Sequence, residues 1–549
     1  MTDDLQMNLM RRFCVGDLLR RTALRYPKKE ALVYSYKGNV THRLNYDELN
    51  KMINRFANAL LEMGVKKGDI VAAISHNSVQ YSVYLYGLAK IGAWICPLNF
   101  ALRGKEITDL INHAKPKVLF VEDELVEHIK ELAKEMPSVE TYGMINLKNE
   151  VELPEGWIDF DELISEKYPD TEPEVIVNAD DVLTLAYTSG TEAMPKGVLN
   201  THGNWYSTFM SAPVDLHMTK EDTLIDSIPL YHVAGQYLLF ATLLTGARLV
   251  MHHEPSPVEI ISLIQNEKVT AIVYPPTVYT NLLSLNLPNL EEFLGNAFGS
   301  VNKAIVFGSP IAEASLKKLI ELLPNIYFMN YWGQSESSPL GTTIQHPDFL
   351  RKLKEANEKY GGAEPIGQTH HTVELKVFDE DDKEVPPGTI GEMVMRSPSV
   401  MVGYYKEPQK TADVFKSGWL HTGDLGIMDE EGYFYFVDRK KDIVKTGGEN
   451  VSTVEVEGVI FSHPKVAEAT VVGLPHEKWV EAVTAFVVPK PEQAITEEEI
   501  IKYCKENLAG YKVPKKVLII DTIPKNPSGK ILKKVLRKDY QDAYEGEKA

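Results

Sequence analysis

The run YDELNKMINRFANALLEMGVKKGDIVAAIS, Tyr46–Ser75, carries two periods in succession. Tyr46 to Met63 spaces its apolar residues as one face of a helix does, and Val71 to Ser75 is a short β-rich stretch. The pattern recurs along the chain: Lys117–Val121, Ala271–Tyr274 and Ala304–Phe307 read as strands, Ile311–Leu323 as a helix. Strands alternating with helices predict an α/β fold layered on mainly parallel sheets, with ligands at the carboxyl ends of the strands.

The texture changes from Val373 to Tyr435, where short alternating strands are separated by Pro386, Pro387, Gly388, Gly403 and Gly432. A small β-subdomain at about 373–438 is expected there. After the charged stretch DRKKD, Asp438–Asp442, the chain resumes as a compact α+β segment. The predicted division is a large domain over 1–438 and a small domain over 439–549. At 549 residues the chain exceeds the size at which single cores stop growing, which agrees with more than one domain.

Lys and Arg number 58 against 77 Asp and Glu, a net charge of −19, which excludes a general nucleic-acid binder. From Ile501 to Lys538, however, eleven Lys/Arg face only Glu506 and Asp521, which reads either as a solvated face or as a site for a polyanion. The three cysteines, Cys14, Cys96 and Cys504, are too few for a disulfide framework and too dispersed for a metal knuckle, and they suit a reducing interior. The N-terminal MTDDLQMNLMRRF has no apolar h-region, and no run reaches the ~18 apolar residues of a membrane span. Tyr237–Met251, broken by Thr242, Thr245 and Arg248, reads as buried helix and strand. A cytoplasmic protein is expected, compatible with peripheral membrane contact; the oligomeric state, homodimer included, stays open.

LAYTSGTEAMPKGV, Leu185–Val198, follows an apolar strand with hydroxyls, glycines and a lysine. Backbone N–H groups of such a turn can meet phosphate oxygens, Thr188, Ser189 and Thr191 can donate, Gly190 frees the backbone and Lys196 adds charge. It is not a Walker A loop, because Pro195 stands where that motif needs Gly and Gly197 where it needs Ser or Thr.

This loop resembles the signature of the adenylate-forming superfamily. Further motifs of that family follow in order: IPLYHVAG (Ile228–Gly235), NYWGQSE (Asn330–Glu336), VMVGYYKEP (Val400–Pro408), GWLHTGDLG (Gly418–Gly426), DRKKDIVKTGGENVS (Asp438–Ser452) and NPSGKI (Asn526–Ile531). Glu192 and Ala193 depart from it, standing where the family usually has Thr and Gly. A carboxylate there is repelled by a triphosphate unless a cation compensates.

The resemblance implies an enzyme that uses ATP and Mg2+ to convert a carboxylic acid to an acyl-adenylate, then hands the acyl group to coenzyme A. It implies Lys530 as the catalytic lysine and Glu336 as the magnesium carboxylate, with the Ser335 hydroxyl on phosphate. Asp424 matches the ribose ligand and Arg439 a nucleotide contact. Trp332, within Tyr331–Gly333, matches the aromatic against adenine, beside Gly308 and Ser309. His232 gates an acyl pocket at Val233, Gly235, Gln236 and Gly333. Lys441 matches a hinge, expected within 438–442, about which the small domain turns, and Gly447, Gly448 and Glu449 line a path for coenzyme A.

By the same resemblance, PLYHVAG lacks the acidic residue that would pair an amino-acid ammonium, and Gly333 stands where acetate-activating relatives have Trp. A medium- or long-chain fatty acid is the expected substrate. Other readings stay open: loading of a carrier protein, an aryl- or branched-acid ligase, or a non-enzymatic nucleotide-binding regulator. The last sits poorly with the retention of Lys530, Glu336 and Asp424.

Overall fold

The computed structural model describes residues 3–148, 151–188, 195–253, 256–283, 285, 289–308, 311, 313–525 and 531–545. Helix α1 (Tyr46–Glu62) starts at a capping box, in which the Asn45 side chain accepts from the Glu48 N–H and the Glu48 carboxylate accepts from the Asn45 N–H. Its buried face carries Tyr46, Leu49, Ile53, Phe56 and Leu60. Strands β1 (Ile70–Ile74), β2 (Trp94–Leu98), β3 (Val118–Glu122) and β4 (Val182–Thr188) run parallel in an eight-stranded sheet, and β5 (Lys196–Thr201) returns antiparallel to β4. Strands β1 and β3 are buried along their whole length, as parallel strands covered on both faces are.

A fourteen-stranded sheet contains β6 (Thr223–Asp226), β7 (Arg248–His252), β8 (Ala271–Tyr274), β9 (Lys303–Phe307) and β10 (Tyr327–Gly333) in a parallel core that also includes Glu30–Tyr36. Between β6 and β7 lies helix α2 (Val233–Thr245), apolar nearly all round and buried accordingly. The expected β-rich stretch does not close a sheet of its own. Strand β11 (Gly341–Gln345) pairs antiparallel with β10, β12 (Glu364–Thr369) with β11, and β13 (Trp419–Met428) and β14 (Phe434–Arg439) continue the same surface. An open strand edge at β10 and β11 offers unpaired N–H and C=O groups, and pairing with the next strands satisfies them.

After Arg439 a third sheet begins, with β15 (Val444–Thr446), β16 (Val466–His476) and β17 (Val480–Pro489) joined by Glu449–Val451 and Lys516–Ile519. Its apolar clusters, one around Val471, Val483 and Ile500 and one around Leu474, Phe486 and Leu536, draw only on residues from Val444 onward. The basic excess of Ile501–Lys538 is partly neutralised in place: Lys512 pairs with Glu455, Lys525 with Glu468, Lys533 with Glu457 and Arg537 with Asp442. Cys14, Cys96 and Cys504 are buried and unpaired, and no helix among the described residues is long and apolar enough to cross a membrane.

Candidate active site

The larger sheet brings Asp424 to Trp332, residues 92 positions apart in the chain. Trp332 is on β10 and Asp424 on β13, where the backbone register sets it opposite Arg439 of β14. The Asp424 carboxylate is nearly buried. It accepts from Trp332 Nε1 at 3.3 Å and from Gln334 Nε2 at 2.7 Å, with the Arg439 guanidinium 3.7 Å away. Gln334 also donates to the Thr422 carbonyl. It lies inside the NYWGQSE motif but is not singled out in the sequence reading; its role as orienting donor appears only once β13 arrives beside β10. Gly308 follows β9 directly, and the register places Phe307 opposite Tyr331.

Glu336 lies just past β10 in the short 3₁₀ turn Ser335–Ser337, where the Ser335 carbonyl accepts from Asn200. Its Oε1 accepts from the Tyr404 hydroxyl at 2.9 Å, and the Tyr404 ring lies 5.1 Å beneath the Lys196 ammonium. The strand Gly403–Tyr404 pairs antiparallel with β5, which carries Lys196. Thr188 is the partner of Lys196 across the β4–β5 hairpin. A carboxylate, a phenol and an ammonium thus share one corner, and Tyr404, unassigned in the sequence reading, joins them. Ser189, Gly190, Thr191, Glu192 and Ala193 lie outside the described residues, as do Ser309 and Lys530. Lys525 and Ile531, both described, form an isolated antiparallel bridge.

His232 caps the N-terminus of α2, its Nδ1 accepting from the Ala234 N–H at 3.2 Å. The turn Ile228–Leu230 that delivers it is pinned by groups the sequence did not flag. Asn77 donates to the Ile228 carbonyl and accepts from the Leu230 N–H, and Asp226 accepts from the Ile228 N–H. Burial pushes the Asp226 carboxyl well above the usual range, opposed by the Ile228 N–H it accepts from. Two expected pocket residues serve the same turn: Gln236 donates to the Leu230 carbonyl at 3.0 Å, and a Cβ at Gly235 would stand 2.5 Å from the Pro229 oxygen. Val233 is buried beside them.

At Gly333 the bare Cα is demanded by the chain path, since a Cβ would run into the Pro339 carbonyl oxygen. The glycine therefore reflects close backbone packing, and the space beside its Cα is filled. Lys441 is exposed in the link between β14 and β15; desolvation first, then Arg439, lower its pKa, while Asp442 and Asp424 oppose. Gly447 and Gly448 form the turn between β15 and Glu449–Val451, both at positive φ. A Cβ at Gly447 would meet the Trp479 ring, whereas beside Gly448 there is open space. Glu449 is exposed.

The chemistry of this site fits a nucleotide. A buried carboxylate pre-oriented by two side-chain donors suits a pair of ribose hydroxyls, beside an indole plane that suits a base. The Glu336 carboxylate beside the Lys196 ammonium suits a magnesium–triphosphate.

The family model of the AMP-binding enzymes matches residues 19–405, and that of the AMP-binding enzyme C-terminal domain matches 455–530. The chain belongs to the AMP-binding enzymes. It is 32% identical to the long-chain-fatty-acid–CoA ligase FadD13 of Mycobacterium tuberculosis over 96% of this chain and 98% of that one. It is 30% identical to a feruloyl-CoA synthase of Amycolatopsis sp, over 94% and 98%. Among solved structures, the anthranilate CoA ligase AuaEII in complex with anthranoyl-AMP superposes with a TM-score of 0.85, at 25% identity over 97% of this chain and 98% of that one.

Proposed function

We propose that this protein is an AMP-forming acid–CoA ligase whose preferred acid is a medium- or long-chain fatty acid. The observation that carries the ligase reading is the convergence of Asp424, Trp332 and Gln334 at one end of β10 with Glu336, Tyr404 and Lys196 just beyond it. A nucleoside end and a phosphate end then lie along one strand terminus, the usual place for ligands in a parallel sheet.

The first half-reaction joins two anions, a carboxylate and the α-phosphate, with pyrophosphate leaving. Charge neutralisation and alignment are therefore what the protein must supply. Asp424 accepts the ribose hydroxyls, Trp332 flanks the base, and Lys196 with Thr188 faces the leaving phosphates. Glu336 would hold magnesium, which when bound offsets the charge of the triphosphate. Lys530 supplies the cation at the junction of carboxylate and α-phosphate, and the small domain then turns about Lys441 so that Gly447–Glu449 faces the adenylate for thiol attack. The fatty-acid preference is supported by the apolar helix α2 behind His232 and by the likeness to FadD13; likeness to enzymes named for ferulate and anthranilate is what the test must separate. We place the reaction in the cytoplasm, where three buried thiols stay reduced.

The test supplies ATP, Mg2+, coenzyme A and acids of increasing length, reading pyrophosphate release and loss of free thiol together. Turnover should climb with chain length as each buried methylene adds about 0.8 kcal/mol, until the pocket ends. Preference for acetate, an amino acid or an aryl acid would overturn the substrate assignment, and pyrophosphate release without thiol consumption would overturn the acceptor.

A further inference from the structure

The carboxyl ends of both parallel sheets meet in a second place. His76 follows β1, Glu122 closes β3 and His253 follows β7, so two residues come from the smaller sheet and one from the larger. His76 Nδ1 lies 2.9 Å from one Glu122 oxygen and His253 Nε2 lies 2.8 Å from the other. The ligand atoms of all three fall within 4.8 Å of one another. The two histidines, with Phe100, Ser227, Lys37 and Glu259, line a cavity of about 940 Å³. The Phe100 ring stacks on His76 at 3.8 Å, fixing that imidazole's plane.

Glu122 and His253 have fully buried side chains, and His76 is 12% exposed. Among the described residues the ion-pair partners of Glu122 are these two imidazoles, with no lysine or arginine. The Glu122 carboxylate also accepts from the His76 N–H at 2.6 Å. A buried carboxylate whose ion-pair partners among the described residues include no lysine or arginine lacks a permanent cation to offset its burial. The other carboxylate cluster, Glu355, Asp429 and Glu431, is different in kind. Lys352 already fills it, 3.1, 2.6 and 2.7 Å from the three, and leaves no demand for a metal.

We propose that His76, Glu122 and His253 form a zinc site that ties the two N-terminal sheets together. Two imidazole nitrogens and one carboxylate suit Zn2+, and a three-residue set leaves a fourth position for water or an anionic group from the cavity. On binding, each imidazole presents the nitrogen that now meets Glu122, and its proton moves to the other ring nitrogen. At His253 that other atom, Nδ1, has no hydrogen-bond partner, so the exchange breaks no existing bond there.

The full-length protein, stripped with chelator and free of nucleotide, is titrated with Zn2+ by calorimetry, and with Co2+ while the visible spectrum is recorded. One Zn2+ per chain with a Kd below ~1 µM and the intense bands of four-coordinate Co2+ are expected. Affinity should fall by about 100-fold in His76→Ala and in His253→Gln, the first change being at a partly exposed side chain. Substoichiometric or weaker binding by the unaltered protein overturns the proposal whether or not the variants fold. Full affinity retained in both variants overturns it too, since the metal then lies elsewhere.

Discussion

Asp424 shows how much one carboxylate depends on its setting. Trp332 and Gln334 both donate to it, so the carboxylate has a defined orientation before any nucleotide arrives. Removing it in Asp424→Ala should raise the KM for ATP by about 10- to 100-fold, the value of hydrogen bonds to a charged acceptor, which steady-state kinetics at saturating acid would measure. Glu364 behaves oppositely. Fully enclosed on β12, it accepts from Asn330 at 2.9 Å, and burial pushes its carboxyl up to about 8. Its folded pKa lies above the unfolded value of 4.5, so the folded state holds the extra proton between the two. Stability from this group is complete below pH 4.5 and is lost as pH rises through about 8. In Glu364→Gln the urea midpoint should vary less between pH 5 and 8.5, with a gain on the order of a few kcal/mol at the alkaline end. An unchanged pH slope would show that the carboxyl ionises freely.

At the scale of the element, helix α1 illustrates what aligns the smaller sheet. Phe56 on its buried face stacks on Phe160 at 4.7 Å and reaches the bare Cα of Gly87 in the helix Val79–Ile91, where a Cβ would stand 2.5 Å from its ring. The two helices approach closely because one offers a ring and the other no side chain. Phe56→Ala leaves a void that neither neighbour can reach, at a cost of about 3–5 kcal/mol read from the urea midpoint. A loss below about 1 kcal/mol would mean that the surrounding core collapses into the space.

At the scale of the whole molecule, the third sheet has apolar clusters of its own and, among the described residues, polar contacts tie it to the end of the larger sheet. Asp438 accepts from the Thr453 N–H and hydroxyl, and Ser452 donates to the Val437 carbonyl. Calorimetry should therefore resolve a separate transition for the segment after Arg439, with an enthalpy near ~70 kcal/mol for roughly 100 residues. A single transition carrying the full enthalpy would show that the units unfold together. Such contact would also permit the rotation about Lys441 proposed above.

Periodicity along the chain was enough for the α/β layering, because side-chain spacing and turn residues are local properties. Motif order was enough to nominate Asp424, Trp332, Glu336 and Lys196. The joining of the β-rich stretch to the large sheet, the donors Gln334, Tyr404 and Asn77, the acceptor Asp226, and the Pro339 carbonyl beside Gly333 became visible only in three dimensions. Each depends on backbone from a distant segment arriving within hydrogen-bonding or van der Waals reach. Strand order across a sheet, which leaves no mark on local composition, sets those encounters.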